Sequence, residues 1–284
     1  MKRIFKTVLA TAFLAAVSAA ILRADDDDLR MEWSRIAVDG SRTGCTAPSA
    51  DDICKTVGKV KGRTYHAPNG RIFKGGTAAA VASVVLEAQP AMAPVKKVIG
   101  YSPEAMILAE PESALSNLFI DRIMAAVEEV SGRHVDVGIG NFGGIRVDMP
   151  QGDILLDDLL SMFPFKNSIV YVALRGVDLR AILEQMASTR VQVLGGVRLV
   201  VSDGKIVSAT VGGEPIDDAK IYGVATISFL LDGGDNLHVG RNAVEIMEYD
   251  DIDIIDIMLD YVNAETAAGR DIVYHTDGRV KIVE

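Results

Sequence analysis

The sequence predicts an α+β fold with mixed sheets, and three observations carry that expectation. Segments with apolar residues at helical spacing alternate with short apolar runs bounded by turn residues. Two of those runs, Val197–Val201 and Lys205–Val211, are joined by Asp203-Gly204, a strong signal for an antiparallel hairpin. Elsewhere a helical segment stands between successive apolar runs, the arrangement that brings strands parallel. Hairpins and helical crossovers in one chain call for sheets of both senses.

The N-terminus reads as an address and not as fold. Lys2, Arg3 and Lys6 precede the apolar, Ala-rich run Thr7–Leu22, and small residues then lead into Asp25-Asp26-Asp27-Asp28. This is the layout of a secretory signal peptide, so residues 1–24 are expected to be removed and the mature protein to be soluble and exported, periplasmic or extracellular. An uncleaved anchor is the alternative; no later stretch reads as long enough to span a membrane. A formal net charge of -10 argues against a nucleic-acid partner.

Residues 25–94 read as an N-terminal extension. It is irregular to about residue 76, with turn pieces such as Val38-Asp39-Gly40-Ser41 and Ala67-Pro68-Asn69-Gly70, and Trp33 is expected to pack it onto the body. Thr77–Gln89 follows as one helix, stopped by Pro90 and Pro94. The only two cysteines, Cys45 and Cys54, fall in this extension. An oxidising compartment permits a disulfide between them, separate thiols are the other possibility, and too few ligands accompany them for zinc.

Residues 95–284 form the main domain. A short strand over Val95–Tyr101 precedes the clearest helix, Glu112–Val130, whose Leu115, Leu118, Phe119, Ile123, Val127 and Val130 share one face and which Gly132 closes. A strand over Val135–Ile139 feeds the turn Asn141-Phe142-Gly143-Gly144-Ile145-Arg146. Gly152–Leu160 reads as a turn and a short helix that Pro164 ends. Ile169–Leu174 is a strand, and Gly176 opens a helix with Leu179, Ile182, Leu183 and Met186 on one face. Gly195-Gly196 interrupts the chain before the hairpin, Tyr222–Leu231 is a further strand, Ile252–Val262 a last helix and Val280–Val283 a last strand.

Three turns carry candidate chemistry: Asn141–Arg146, Phe165–Asn167 and Phe229–Asp235. Each follows or interrupts an apolar segment, as ligand loops at strand ends do. Adjacent glycines let a ligand approach the backbone, and Arg146 beside them suits a carboxylate or phosphate. Phe165 and Phe229 have the shape to sandwich a flat ring, and Asp235 can accept from sugar hydroxyls. The alternative makes both phenylalanines core residues and the glycines plain turns.

The order of the pieces adds to this. Glu112-Ser113-Ala114-Leu115-Ser116-Asn117-Leu118 with Asp121, Asn141-Phe142-Gly143-Gly144-Ile145-Arg146, Gly152–Leu159, Phe163-Pro164-Phe165-Lys166-Asn167, Leu174–Leu179 and Phe229–Asp235 occur in series. From about residue 95 to the end the chain closely resembles the C-terminal domain of the bacterial and animal 5'-nucleotidase family. The resemblance implies an α/β sandwich that binds the nucleoside part of a nucleotide. Phe165 and Phe229 would stack on the base, Asn141 and Arg146 would meet the ribose or phosphate end across Gly143 and Gly144, and Asp235 would hold the ribose hydroxyls. Asn167 and the Gly195-Gly196 turn are weaker candidates for base-edge contacts. One departure is Pro111, where the family usually carries an arginine.

Full-length members of that family also carry an N-terminal metallophosphoesterase domain with two metal ions. Such a centre needs clustered His, Asp and Asn ligands, and His66, His134, His238 and His275 sit in no such motif. This chain is therefore expected to contribute no catalytic residue and to hold no metal or cofactor. Divalent metals would belong to a separately encoded metallophosphoesterase partner, the two together hydrolysing 5'-nucleotides in nucleotide catabolism. The alternative is a non-catalytic extracellular nucleoside-binding protein. A hydrolase with another active site ranks last, since no nucleophile–base pair is visible, and Asp157-Asp158 and Asp250-Asp251 read as helix-start or surface charges.

Overall fold

The computed structural model describes residues 53–283, so the leader, Trp33 and Cys45 lie outside the described residues, and with Cys45 any pairing to Cys54. The chain divides into two compact units, the boundary falling after Ala82.

The first unit is more regular than its sequence suggests. After α1 (Ile53–Thr56), β1 (Lys59–Lys61), β2 (Thr64–His66) and β3 (Ile72–Lys74) form an antiparallel meander. Each strand is three residues long, Lys-Val-Lys, Thr-Tyr-His and Ile-Phe-Lys, too short to give a readable alternation. Tyr65, Ala67, Ala79 and Ala82 cluster beneath it, with Phe73 stacked on Tyr65 at 5.8 Å between ring centres.

The next helix, α2 (Gly76–Met92), does not stop at Pro90. Proline is tolerated there because it lies in an exposed final turn, where the carbonyl it orphans is open to water. A 3-10 turn over Ala93–Lys96 extends the run. Gly76–Lys96 is thus long and apolar enough, by length and composition, to cross a membrane, and only 11% of its apolar 18-residue window is buried. The expectation that nothing beyond the leader reaches that length fails because the helix continues through the proline.

In the second unit, β4 (Val98–Ser102) leads to α3 (Ala114–Ser131). Ser113 caps α3: its Oγ accepts from the Ser116 amide at 3.1 Å while Ser116 Oγ accepts from the Ser113 amide at 2.9 Å. Leu115, Leu118, Phe119, Ile120, Ile123 and Val127 are fully buried, each worth roughly 1.5–3 kcal/mol of apolar transfer. Then come β5 (Val137–Gly140), β6 (Gly152–Leu155), α4 (Leu156–Met162), β7 (Ser168–Arg175), α5 (Gly176–Ser188), β8 (Val193–Gly195), β9 (Val197–Ser202), β10 (Lys205–Val211), β11 (Glu214–Pro215) and β12 (Ile221–Ile227). The last elements are α6 (Ser228–Leu231), β13 (Glu245–Asp253), α7 (Ile254–Ala267) and β14 (Val280–Val283).

The sheets are mixed, as expected. The central five-stranded sheet runs β13-β7-β12-β5-β8, with β12 and β5 parallel and the other pairs antiparallel. A four-stranded sheet runs β11-β10-β9-β14, with β14 and β9 parallel, and β4 pairs with β6. The β9–β10 hairpin turns at Asp203 and Gly204, both with positive φ (49° and 71°), as a two-residue turn of this type requires. Helix α3 lies against β5, β8 and β12 and against α7, so its apolar face seals the main core.

Several elements differ from expectation, among them β6, which pairs with β4 where a turn is expected. Strand β13 is an edge strand whose carboxylates, Glu245, Glu248, Asp250 and Asp251, mask it in sequence and guard its open edge. The run Tyr222–Leu231 is not one strand: it ends at Ile227, and Phe229 sits on the helical turn α6.

The tail is tied to the start of α3. The Glu112 carboxylate accepts from Asn117 Nδ2 (2.8 Å) and from the amides of Asp277 (2.8 Å), Gly278 (3.1 Å) and Val280 (3.4 Å). Asp121, on α3, accepts from Arg279 (2.7 Å) and from Tyr274 Oη (2.5 Å). Asp121 and Asp277 hold the Arg279 guanidinium above its usual range although burial opposes them. Burial first, and Asp121 second, push the Tyr274 phenol up to about 12.

Candidate functional site

Asn141 stands at the end of β5, where the strand leaves the sheet, and is 95% buried, with 5% of its surface exposed. A 3-10 turn over Phe142–Gly144 follows, closed by the Gly144 amide donating to the Asn141 carbonyl at 3.2 Å. A Cβ on Gly144 would stand 2.7 Å from Asn141 Oδ1, so glycine is needed there to leave room for the amide. Asn141 Nδ2 donates to Asp235 Oδ2 at 2.9 Å, which leaves Oδ1 buried and without a partner. A buried acceptor left open costs free energy that a ligand donor would recover.

Arg146 is anchored by its amide, which donates to the Met162 carbonyl at 3.0 Å, and its Nη1 reaches the Gly143 carbonyl at 3.3 Å. The guanidinium lies over the Phe165 ring, 5.6 Å from its centre. The two phenylalanines of Phe163-Pro164-Phe165 part company. Phe163 is buried and stacks on Phe119, 5.6 Å between centres and 9° between planes. Phe165 is 45% exposed. Phe229, at the start of α6, is 41% exposed, so neither Phe165 nor Phe229 is a core residue.

The backbone of Gly234 lies against the Phe229 ring, so close that a Cβ there would stand 2.4 Å from it. Asp235 follows with φ 52°, a left-handed conformation that a non-glycine residue adopts at a cost and that here turns its carboxylate to Asn141.

The sequence-predicted residues meet at one place. Asn141, Gly143, Gly144, Arg146, Phe165, Asn167, Phe229 and Asp235 line one cavity of about 280 Å³. Gly195 and Gly196 do not line it: Gly195 ends β8, and Gly196 borders another hollow beside Arg198 and Arg279. Asp157 and Asp158 lie in the first turn of α4, Asp158 accepting from the Leu155 amide at 2.7 Å, whereas Asp250 and Asp251 lie on the edge strand β13. Among the described residues no group of three or more His, Cys, Asp or Glu is placed to hold a metal ion.

Two supporting residues escaped sequence reasoning. Gln192, 3% exposed, accepts from the Phe142 amide at 3.1 Å, and Gln185 Nε2 donates to the Asn236 carbonyl at 2.7 Å. The one available signal was a polar residue between two valines in Val191-Gln192-Val193.

Residues 98–241, about half of the chain, match the model of the family described as 5'-nucleotidase, C-terminal domain. The Silent protein UshA(0) of Salmonella typhimurium is 36% identical over 118 residues, 40% of this chain and 21% of that protein. Protein UshA of Escherichia coli is 35% identical over 118 residues, with the same coverage. The chain thus matches about a fifth of the length of these relatives. Among solved structures, the 5'-nucleotidase precursor of Thermus thermophilus superposes with a TM-score of 0.64 at 22% identity, over 77% of this chain and 45% of that one. The NAD nucleotidase of Haemophilus influenzae superposes at 0.54 and 16% identity, over 77% and 47%. Both likenesses are of fold.

Proposed function

Because the chain belongs to the 5'-nucleotidase C-terminal domain family, we propose that it is the nucleotide-recognition part of a 5'-nucleotidase-type phosphohydrolase system. The observation that carries this reading is the cavity, in which two half-exposed phenylalanines, one arginine and a buried asparagine hydrogen-bonded to an exposed aspartate converge. Stacking on an aromatic side chain is worth roughly 1–3 kcal/mol per base and tolerates any base. Phe165 and Phe229 take the base, Asn141 and Asp235 the ribose, and Arg146 the phosphate end, with Asn167 beside the base. A cavity of about 280 Å³ lies at the small end of ligand sites, so a nucleoside fills it and its phosphate stays at the mouth.

In this reading the phosphate is cut by a separately encoded metallophosphoesterase, which brings the divalent metals, and the two act in nucleotide catabolism. The chain is exported, as Lys2, Arg3, Lys6 and the following apolar run favour. Calorimetry with adenosine and AMP tests recognition, and absence of binding by both overturns it. Phosphate release with and without a metallophosphoesterase encoded beside the chain tests the partnership. Binding without any gain in hydrolysis would instead identify a non-catalytic nucleoside-binding protein.

A further inference from the structure

Among the described residues Arg146 is the only cation that lines the cavity, and it already lies over Phe165 and reaches the Gly143 carbonyl. A phosphate monoester carries between one and two negative charges near neutral pH, more than one arginine balances. A second candidate cation, outside the lining itself, lies in the segment from Gln185 to Gln192. That segment is tied to both polar walls of the cavity. Gln185 bonds the carbonyl of Asn236, next to Asp235, and Gln192 bonds the amide of Phe142, next to Asn141. Asn141 and Asp235 are themselves hydrogen-bonded, so the segment closes a ring around the polar end of the site.

Arg190 lies within that segment. It makes a two-point pair with Glu110, its Nε donating to Oε2 at 3.2 Å and its Nη2 to Oε1. Both side chains are about half exposed, at 53% and 48%. Solvent screens a pair this exposed, so the guanidinium can exchange one acceptor for another. Glu110 first, with Asp235 adding to it, keeps Arg190 above its usual pKa.

We infer that Arg190 is a second anion-binding residue of this site, exchanging Glu110 for the phosphate when a nucleotide enters. The inference rests on the nucleotide reading of the cavity. It makes Glu110 a competitor of the phosphate: one carboxylate holds the arginine in the empty site and yields it to a more highly charged, bidentate acceptor. No covalent step is involved, and Arg190 acts on affinity and on the preference for nucleotide over nucleoside.

The test is titration calorimetry of AMP and adenosine with the exported chain and two variants. Arg190→Ala is expected to weaken AMP about tenfold, the worth of a charge-assisted contact, and to change adenosine by less than about twofold. Glu110→Gln is expected to do the reverse, tightening AMP by about threefold by freeing the arginine. Opposite signs cannot both come from damaged folding. Equal effects of Arg190→Ala on the two ligands, or weaker AMP binding in Glu110→Gln, overturn the assignment while leaving the cavity reading intact. A wild-type chain that binds neither ligand overturns the cavity reading and this inference with it.

Discussion

The amide of Asn141 donates to the carboxylate of Asp235 at 2.9 Å, joining residues separated by 94 positions and holding two loops at one distance across the cavity. The donor is buried and the acceptor exposed, so the bond has one fixed and one adjustable end. This geometry makes the pair sensitive to charge. Asn141→Asp places two carboxylates in contact, and one must keep its proton, with a folded pKa raised above its unfolded value. The sign follows: the folded state binds the extra proton, so stability is retained at acid pH and lost as pH rises through that raised value. Urea unfolding of the variant is expected to show a deficit of about 1–3 kcal/mol at pH 7 that shrinks towards pH 5.

The two exposed phenylalanines separate binding from folding. Phe229→Ala is expected to weaken adenosine and AMP alike by roughly 1–3 kcal/mol, about five- to 150-fold, because both ligands carry the base that stacks. Stability should change by no more than about 1 kcal/mol, since the ring is 41% exposed. Phe163→Ala is the contrast, a buried ring stacked on Phe119 whose loss should cost about 3–5 kcal/mol in unfolding experiments. Calorimetry together with urea titration reads both.

The adjacent glycines are not equivalent. At Gly144 a Cβ would stand 2.7 Å from Asn141 Oδ1, while at Gly143 the nearest atom is 3.4 Å away. Gly144→Ala should displace the buried amide, cost about 1–3 kcal/mol and abolish tight ligand binding. Gly143→Ala should be nearly silent in both assays, and equal effects of the two would show that the amide does not set the turn.

Alkaline stability should report the tail. With the Tyr274 phenol pushed up from 10.0 to about 12, the unfolded chain ionises first. A group raised in the folded state contributes fully below its unfolded pKa and loses that contribution as pH climbs. Unfolding free energy should therefore fall across about pH 10 to 12, and Tyr274→Phe should flatten that slope. An unchanged slope in Tyr274→Phe would assign the alkaline transition to other groups.

What the sequence revealed follows from the range of the forces involved. Helix α3, strand β7 and the β9–β10 hairpin are legible because burial writes itself into spacing over a few residues. The candidate site was legible for a different reason, its residues falling in short ordered motifs. Strands β1–β3 and β13 were not, since three-residue strands leave no period and an edge strand replaces apolar residues with carboxylates. Phe229 was read as strand because the apolar run Tyr222–Leu231 hides the turn at Ile227. Gln192 and Arg190 stayed hidden because their partners, Phe142 and Glu110, lie 50 and 80 positions away.

The bonds from Glu112 and Asp121 to the segment 274–280 also govern how the chain can be handled. Deleting that segment would strip two carboxylates of the amides, guanidinium and phenol that neutralise them, beside the helix that seals the core. Residues 274–280 are a plug beside that helix. A purification tag belongs beyond them, and a protease that trims them should release an unstable protein, not a shorter one.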